Sequence, residues 1–202
     1  MRFERLAAFA AALSLAGCAG GGGFGRYSLV PPGPRSVAAS RITVTPPHAW
    51  NRVPRGFYDI REEENWTLNG PILDSVSFIG GLRDGKAVVR QRRRDDRQVP
   101  VFRANMTPPE IVAMIESLYR IRAGAAEFGV TALRPATFVG RPGFRLDYDY
   151  LDGSEIKRRG RAYGAIIDGR LYMMLLDATR MHYFDAALGG FETMARGAVL
   201  RG

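Results

Sequence analysis

One cysteine, two histidines, a pair of alternate aspartates and a run of arginines are the residues of this 202-residue chain whose types and spacing could do chemistry. His48 and His182 lack the arrangement a metal would ask of them. Zinc takes three or four clustered N, S or O ligands, and neither an H-x-x-x-H nor an H-E-x-x-H spacing occurs. A nucleophilic triad needs Ser or Cys beside a histidine and an orienting carboxylate, and no G-x-S-x-G elbow is present. No metal and no cofactor is therefore expected. Asp147 and Asp149 share one face of a strand and could serve as an acid/base pair or bind a cation. Alternate carboxylates more often mark the solvent face opposite an aromatic stripe, which is the reading preferred here. His182, beside Tyr183, reads as a surface residue at a helix start. Arg92, Arg93, Arg94 and Arg97 could clamp an anionic group, although Asp95 and Asp96 also fit a charge-balanced, solvated hairpin tip.

Cys18 has the clearest context. Arg2 and Arg5 precede an apolar run from Leu6 to Leu15, and Ala16 and Gly17 lead into the only cysteine. A spanning helix needs about 20 apolar residues, so the run is a secretory signal by length and layout. Leu15-Ala16-Gly17-Cys18 resembles the lipobox of bacterial lipoproteins, in which a diacylglycerol joins the cysteine sulfur and cleavage falls between the residues at Gly17 and Cys18. With no second cysteine, a free thiol would be a liability in an oxidising compartment, whereas a lipidated one is capped. Several acyl chains give stable anchoring where one does not. The resemblance implies a bacterial cell-envelope protein held in a membrane through Cys18. Ala19 after the cysteine resembles an outer-membrane sorting signal, which implies the inner leaflet of the outer membrane, facing the periplasm.

The elements behind these residues divide the chain into residues 1–17 as signal peptide, 18–40 as a lipidated tether and 41–202 as one globular domain. The tether reading rests on Gly20 to Gly23 and on Pro31-Pro32-Gly33-Pro34, compositions that cannot bury a core. Net charge is +9, and removal of Arg2, Glu4 and Arg5 with the signal leaves +8. Among 29 basic residues only Lys86 and Lys157 are lysines. An envelope location argues against nucleic acid as the partner and for anionic headgroups or an envelope protein.

Coarse patterning is mixed. Short strands are expected at Arg41 to Val44, Asn65 to Leu68 and Leu73 to Ile79, with a turn at Gly80-Gly81 and a further strand at Ala87-Val88-Val89. Thr107-Pro108-Pro109-Glu110 is a capping box with proline at the helix start, and Ile111, Met114, Ile115, Leu118 and Tyr119 continue it on one face up to Gly124. Strands then follow from Val130 to Ala136, through Phe144, Leu146, Tyr148 and Tyr150, from Ile156 to Ile167 and from Leu171 to Leu176. The Asp152-Gly153 and Asp168-Gly169 turns make this an antiparallel meander. A second helix runs from Tyr183 to Ala195, before a short Ala198-Val199-Leu200 piece.

Phe144 to Leu200, with Asp168-Gly169-Arg170-Leu171-Tyr172, Tyr183-Phe184 and Phe191, resembles the C-terminal half of the PsbP family and the DcrB-type bacterial lipoproteins. Trp50 after Pro46-Pro47, and the helix opened by Thr107, fall where such domains carry an early tryptophan and their first long helix. The resemblance implies an α+β fold, an antiparallel β-sheet flanked by helices on both faces in a PsbP-like α/β/α sandwich. It also implies a non-enzymatic accessory or binding module. Two function classes stay open: an envelope lipoprotein that binds a protein partner or anionic envelope component, or a hydrolase or cation-dependent enzyme using Asp147, Asp149 and a histidine. The first predicts a basic exposed patch; the second predicts that those side chains converge in a pocket.

Overall fold

The computed structural model describes residues 26–90 and 99–201. Gly17, Cys18, Arg92, Arg93, Arg94 and Arg97 lie outside the described residues. Along the chain come β1 (Ser28–Val30), β2 (Arg35–Val37), β3 (Ile42–Val44), β4 (Trp50–Arg52), β5 (Glu63–Thr67) and β6 (Asp74–Arg83). Then follow α1 (Pro108–Ala123), β7 (Glu127–Phe138), β8 (Arg141–Leu151), β9 (Lys157–Ile167), β10 (Arg170–Thr179), α2 (Tyr183–Arg196) and β11 (Val199–Leu200). Eight strands form one antiparallel sheet in the order β1-β4-β5-β6-β10-β9-β8-β7, and a small sheet has the order β11-β3-β2.

Burial on both faces of the large sheet follows from the period of two. In β8, Phe144, Leu146, Tyr148 and Tyr150 are buried and join Ile111, Ile115 and Leu118 of α1 in one core. The opposite face packs Trp50, Phe78 and Met174 against Phe184, Phe191 and Met194 of α2, with Val37, Ile42 and Val44 of the small sheet closing that core. A helix on each face of an antiparallel sheet is the expected α+β sandwich. Glycines let the aromatic layer lie flat: Tyr148 and Phe144 stand opposite Gly160 and Gly164 of β9. A Cβ on Gly160 would fall on the Tyr148 ring, so the ring occupies the space a side chain would take.

Three expectations change. The Gly80-Gly81 pair does not turn the chain: β6 runs through it to Arg83, with a bulge opposite Leu171 and Tyr172 and Gly81 at φ +75°. The bulge absorbs the extra residue without ending the ladder. Ala87-Val88-Val89 contributes only an isolated bridge between Ala87 and Val101, though Val88 and Val89 are buried. Residues 28–37, read as tether, form β1 and β2, and Val30, Val37 and Ala38 are buried in the α2-side core. Pro31-Pro32-Gly33-Pro34 is the tight connection between those strands, so the prolines set a turn where composition suggested an extended spacer.

Candidate functional site: a polar cleft beside the first helix

Helix α1 begins as its sequence dictates: the Glu110 carboxylate accepts from both the Thr107 backbone N–H and the Thr107 hydroxyl, each at 2.7 Å, and Gly124 ends the helix in a left-handed conformation. Its 16 residues span roughly 24 Å at 1.5 Å per residue. The 10 residues of β6 span roughly 33 Å. The C-terminal turns of α1, at Leu118 to Ala123, border a part of the sheet face that the helix does not cover. The strands anticipate this, because on that face β6 reads Ile79, Ser77, Ser75 and β10 reads Met173, Leu175, Asp177. Both turn polar where helical cover stops.

The uncovered part is a cleft of about 260 Å³. Leu118, Tyr119 and Arg122 of α1 form one wall, the Val53 to Asp59 segment another, and Ser75, Ser77, Leu175 and Asp177 the floor. Arg122 extends the apolar stripe of α1 by one turn and grips Glu63 of β5 with two parallel bonds, Nη1 to Oε1 at 2.5 Å and Nη2 to Oε2 at 2.6 Å. The Glu63 side chain is 1% exposed, so this clamp supplies the charge compensation that burial demands. Burial alone would lower the Arg122 pKa, but bonding to Glu63 outweighs it and holds the guanidinium above its ordinary value. Asn65 donates to Asp59 Oδ2 and Glu63 Oε1, both at 3.2 Å, and accepts from the Ser77 hydroxyl. Arg122 Nε is buried without a hydrogen-bond partner among the described residues.

Across the floor, Asp177 accepts from the Tyr150 hydroxyl at 3.0 Å and from Arg158 Nε and Nη2 at 3.1 and 2.9 Å. Burial pushes the Asp177 carboxyl up from its ordinary range, against the pull of Arg158 and Tyr150. Tyr119 and Tyr148 share a hydrogen bond of 2.6 Å between their hydroxyls, and Tyr119 lies 4.7 Å from Tyr150 between ring centroids. Burial raises the pKa of all three phenols, so they keep their protons. The cleft is a fixed array of hydrogen-bonding groups set between apolar walls.

The residues singled out by sequence lie elsewhere. Asp147 and Asp149 sit on the α2 side of β8, where Asp147 pairs with Arg161 and Arg145, and Asp149 with Arg159 at 2.8 Å. Arg161 also reaches Glu192 of α2 at 2.8 Å. These aspartates are structural ion pairs between strands, not a free carboxylate pair. His48 stacks on Trp50 with centroids 5.4 Å apart, and His182 meets Tyr183 edge-on at the start of α2. Among the described residues no ion pair joins either histidine to Asp147 or Asp149, and no cluster of three or more His, Cys, Asp or Glu could hold a metal ion. Nor is any described helix long and apolar enough to cross a membrane. Sequence reasoning missed Asp59, Glu63, Asn65, Arg122 and Asp177. The signal that could have found them was a charged residue continuing an apolar stripe: Arg122 after Ile111, Ile115 and Leu118, and Asp177 after Leu171, Met173 and Leu175.

No family model matches the chain, and no curated protein matches it in sequence. Among solved structures it is similar to cyanobacterial PsbP (CyanoP) from Synechocystis sp. PCC 6803, with a TM-score of 0.53 and 16% identity over 93% of this chain and 99% of that one. LpqN, involved in cell envelope biogenesis of Mycobacterium tuberculosis, aligns over 88% of this chain and 86% of that one with a TM-score of 0.35 and 10% identity. The first of these likenesses is one of fold: the domain is PsbP-like.

Proposed function

We propose that this is a lipid-anchored accessory protein of the bacterial cell envelope that works by binding and not by turnover. Cys18 carries the lipid, the protein sits at the inner leaflet of the outer membrane facing the periplasm, and the domain engages an envelope protein or an anionic envelope component. Support for the address comes from Leu15-Ala16-Gly17-Cys18 after its apolar run. The observation that carries the binding reading is the state of two carboxylates of the cleft: Glu63, buried, and Asp177, half-buried, are both locked by arginines, through Arg122 and Arg158. Carboxylates held this way fix a recognition surface, while general acid/base work needs a group free to exchange its proton with a substrate. Arg92, Arg93, Arg94 and Arg97 remain the proposed clamp for an anionic partner.

The test is crosslinking in intact cells, with partners identified from wild type, Cys18→Ser and a triple Arg92→Ser, Arg93→Ser, Arg94→Ser variant. Cys18→Ser should move the protein from the membrane to the soluble fraction. The triple variant should lose crosslinks while staying at the membrane. A Cys18→Ser protein that still sediments with membranes sinks the anchor, and unchanged crosslinks in the triple variant sink the clamp.

A further inference from the structure

We infer that the cleft beside α1 is a binding site for a small polyol-class ligand such as a single sugar unit, neutral or cationic, and that it rejects anions. This rests on the reading that the domain works by binding, and it does not depend on the anchor.

Size comes first. Pockets for drug-sized ligands run from roughly 300 Å³ upward, and this one holds about 260 Å³, which suits one small ring. The hydrogen-bond inventory then fixes the polarity. Most of the protein's own donors at the cleft are engaged internally: both Arg122 Nη groups bond Glu63, with Nη2 also reaching the Tyr58 carbonyl at 3.1 Å, and the Tyr150 hydroxyl donates to Asp177, which leaves the buried Arg122 Nε and the Ser75 hydroxyl. Acceptors remain. Asp59 Oδ1 lies 3.8 Å from Arg122, beyond hydrogen-bond reach, while its Oδ2 serves Gly56 and Asn65. The Ser77 oxygen has given its proton to Asn65 and keeps its lone pairs, and Ser75 adds a second hydroxyl to the floor. A ligand that complements this surface donates to Asp59 and Ser77 through hydroxyl or ammonium groups and can accept from the Ser75 hydroxyl, as a polyol does.

Charge selects further. Asp59, Glu63 and Asp177 line the cleft against Arg122, with Arg158 behind Asp177, so carboxylates exceed guanidiniums even when both arginines count. In a chain of net charge +9 the cleft thus carries one more carboxylate than guanidinium, which disfavours an anion inside it. The three carboxylates are not grouped as the ligand set of a metal ion, so the cation they would meet is an ammonium group carried on the ligand. Leu118, Tyr119, Ile79 and Leu175 supply apolar walls for the C–H faces of a ring.

The experiment uses the full chain in a detergent without a sugar headgroup and three hexoses that differ in charge: glucose, glucosamine and glucuronate. Saturation-transfer NMR should show contact for glucose and glucosamine, with glucuronate about tenfold weaker or absent. Asp59→Asn and, separately, Ser77→Ala should weaken glucosamine binding by about tenfold with Tm held near wild type. The inference is overturned if none of the three binds, if glucuronate binds as well as glucose, or if a natively folded Asp59→Asn variant binds unchanged. A protein that ignores all three hexoses yet keeps its crosslinked partners in cells loses the polyol site alone; one that does neither loses the binding reading as well.

Discussion

With its side chain 1% exposed, Glu63 is paired by Arg122, which reaches it from the helix with two parallel N–H groups. Arg122→Ala strands that carboxylate, and urea unfolding should show a loss of about 3–5 kcal/mol. The double variant Glu63→Leu, Arg122→Met removes both charges and should recover most of it, since an apolar pair of similar volume replaces a buried ion pair at little net cost. A double variant as unstable as the single would show that the cleft owes its shape to something other than the clamp. At this scale the sequence revealed residue types but not their partners. Asp147 and Asp149 looked like a free pair, yet the hairpin at residues 152–156 sets them opposite Arg161 and Arg159. That register was in principle legible once the turn was placed. Asp59 and Asn65 were not legible, because their meeting with Arg122 depends on how a loop folds over a helix distant in sequence.

Elements were read most securely where local chemistry acts alone. The capping box of α1, the alternation in β8 and the Asp168-Gly169 turn, with φ of 50° and 69°, all follow from a few neighbouring residues. Gly80 could not be read that way. A Cβ there would sit 2.5 Å from the Ala38 carbonyl oxygen, so this glycine answers to the β2–β3 turn pressed on it, about 40 residues away in sequence. Two further glycines separate helix propensity from packing. A Cβ added at Gly189 in α2 would meet nothing within 4 Å, whereas Gly160 lies under the buried Tyr148 ring. Gly189→Ala should raise stability by about 1 kcal/mol. Gly160→Ala should lower it by about 1–3 kcal/mol through overpacking. Thermal unfolding of the two variants checks both, and equal shifts would refute the packing argument.

Taken whole, the large sheet carries a helix on each face and ends in the edge strands β1 and β7. β7 is 12 residues long, with a register break between Val130 and Ala132, a proline at 135 and Arg134 beside it. Those features discourage another strand from pairing there. Replacing Arg134 and Pro135 by valine should therefore promote self-association, read as a shift in sedimentation, while leaving the fold intact by circular dichroism. A double variant that stays monomeric would mean that the bulge alone protects the edge. The inclusion of β1 in this sheet has a last consequence. From Cys18 to Ser28 the chain can reach at most about 35 Å, close to the diameter of about 40 Å expected for a domain of this size. With lipid on Cys18, as proposed, the domain stays within about one of its own diameters of the bilayer surface. A target held in the same leaflet is then met within a thin layer at the membrane and not throughout the surrounding volume, so contacts too weak to survive in free solution can hold the two together.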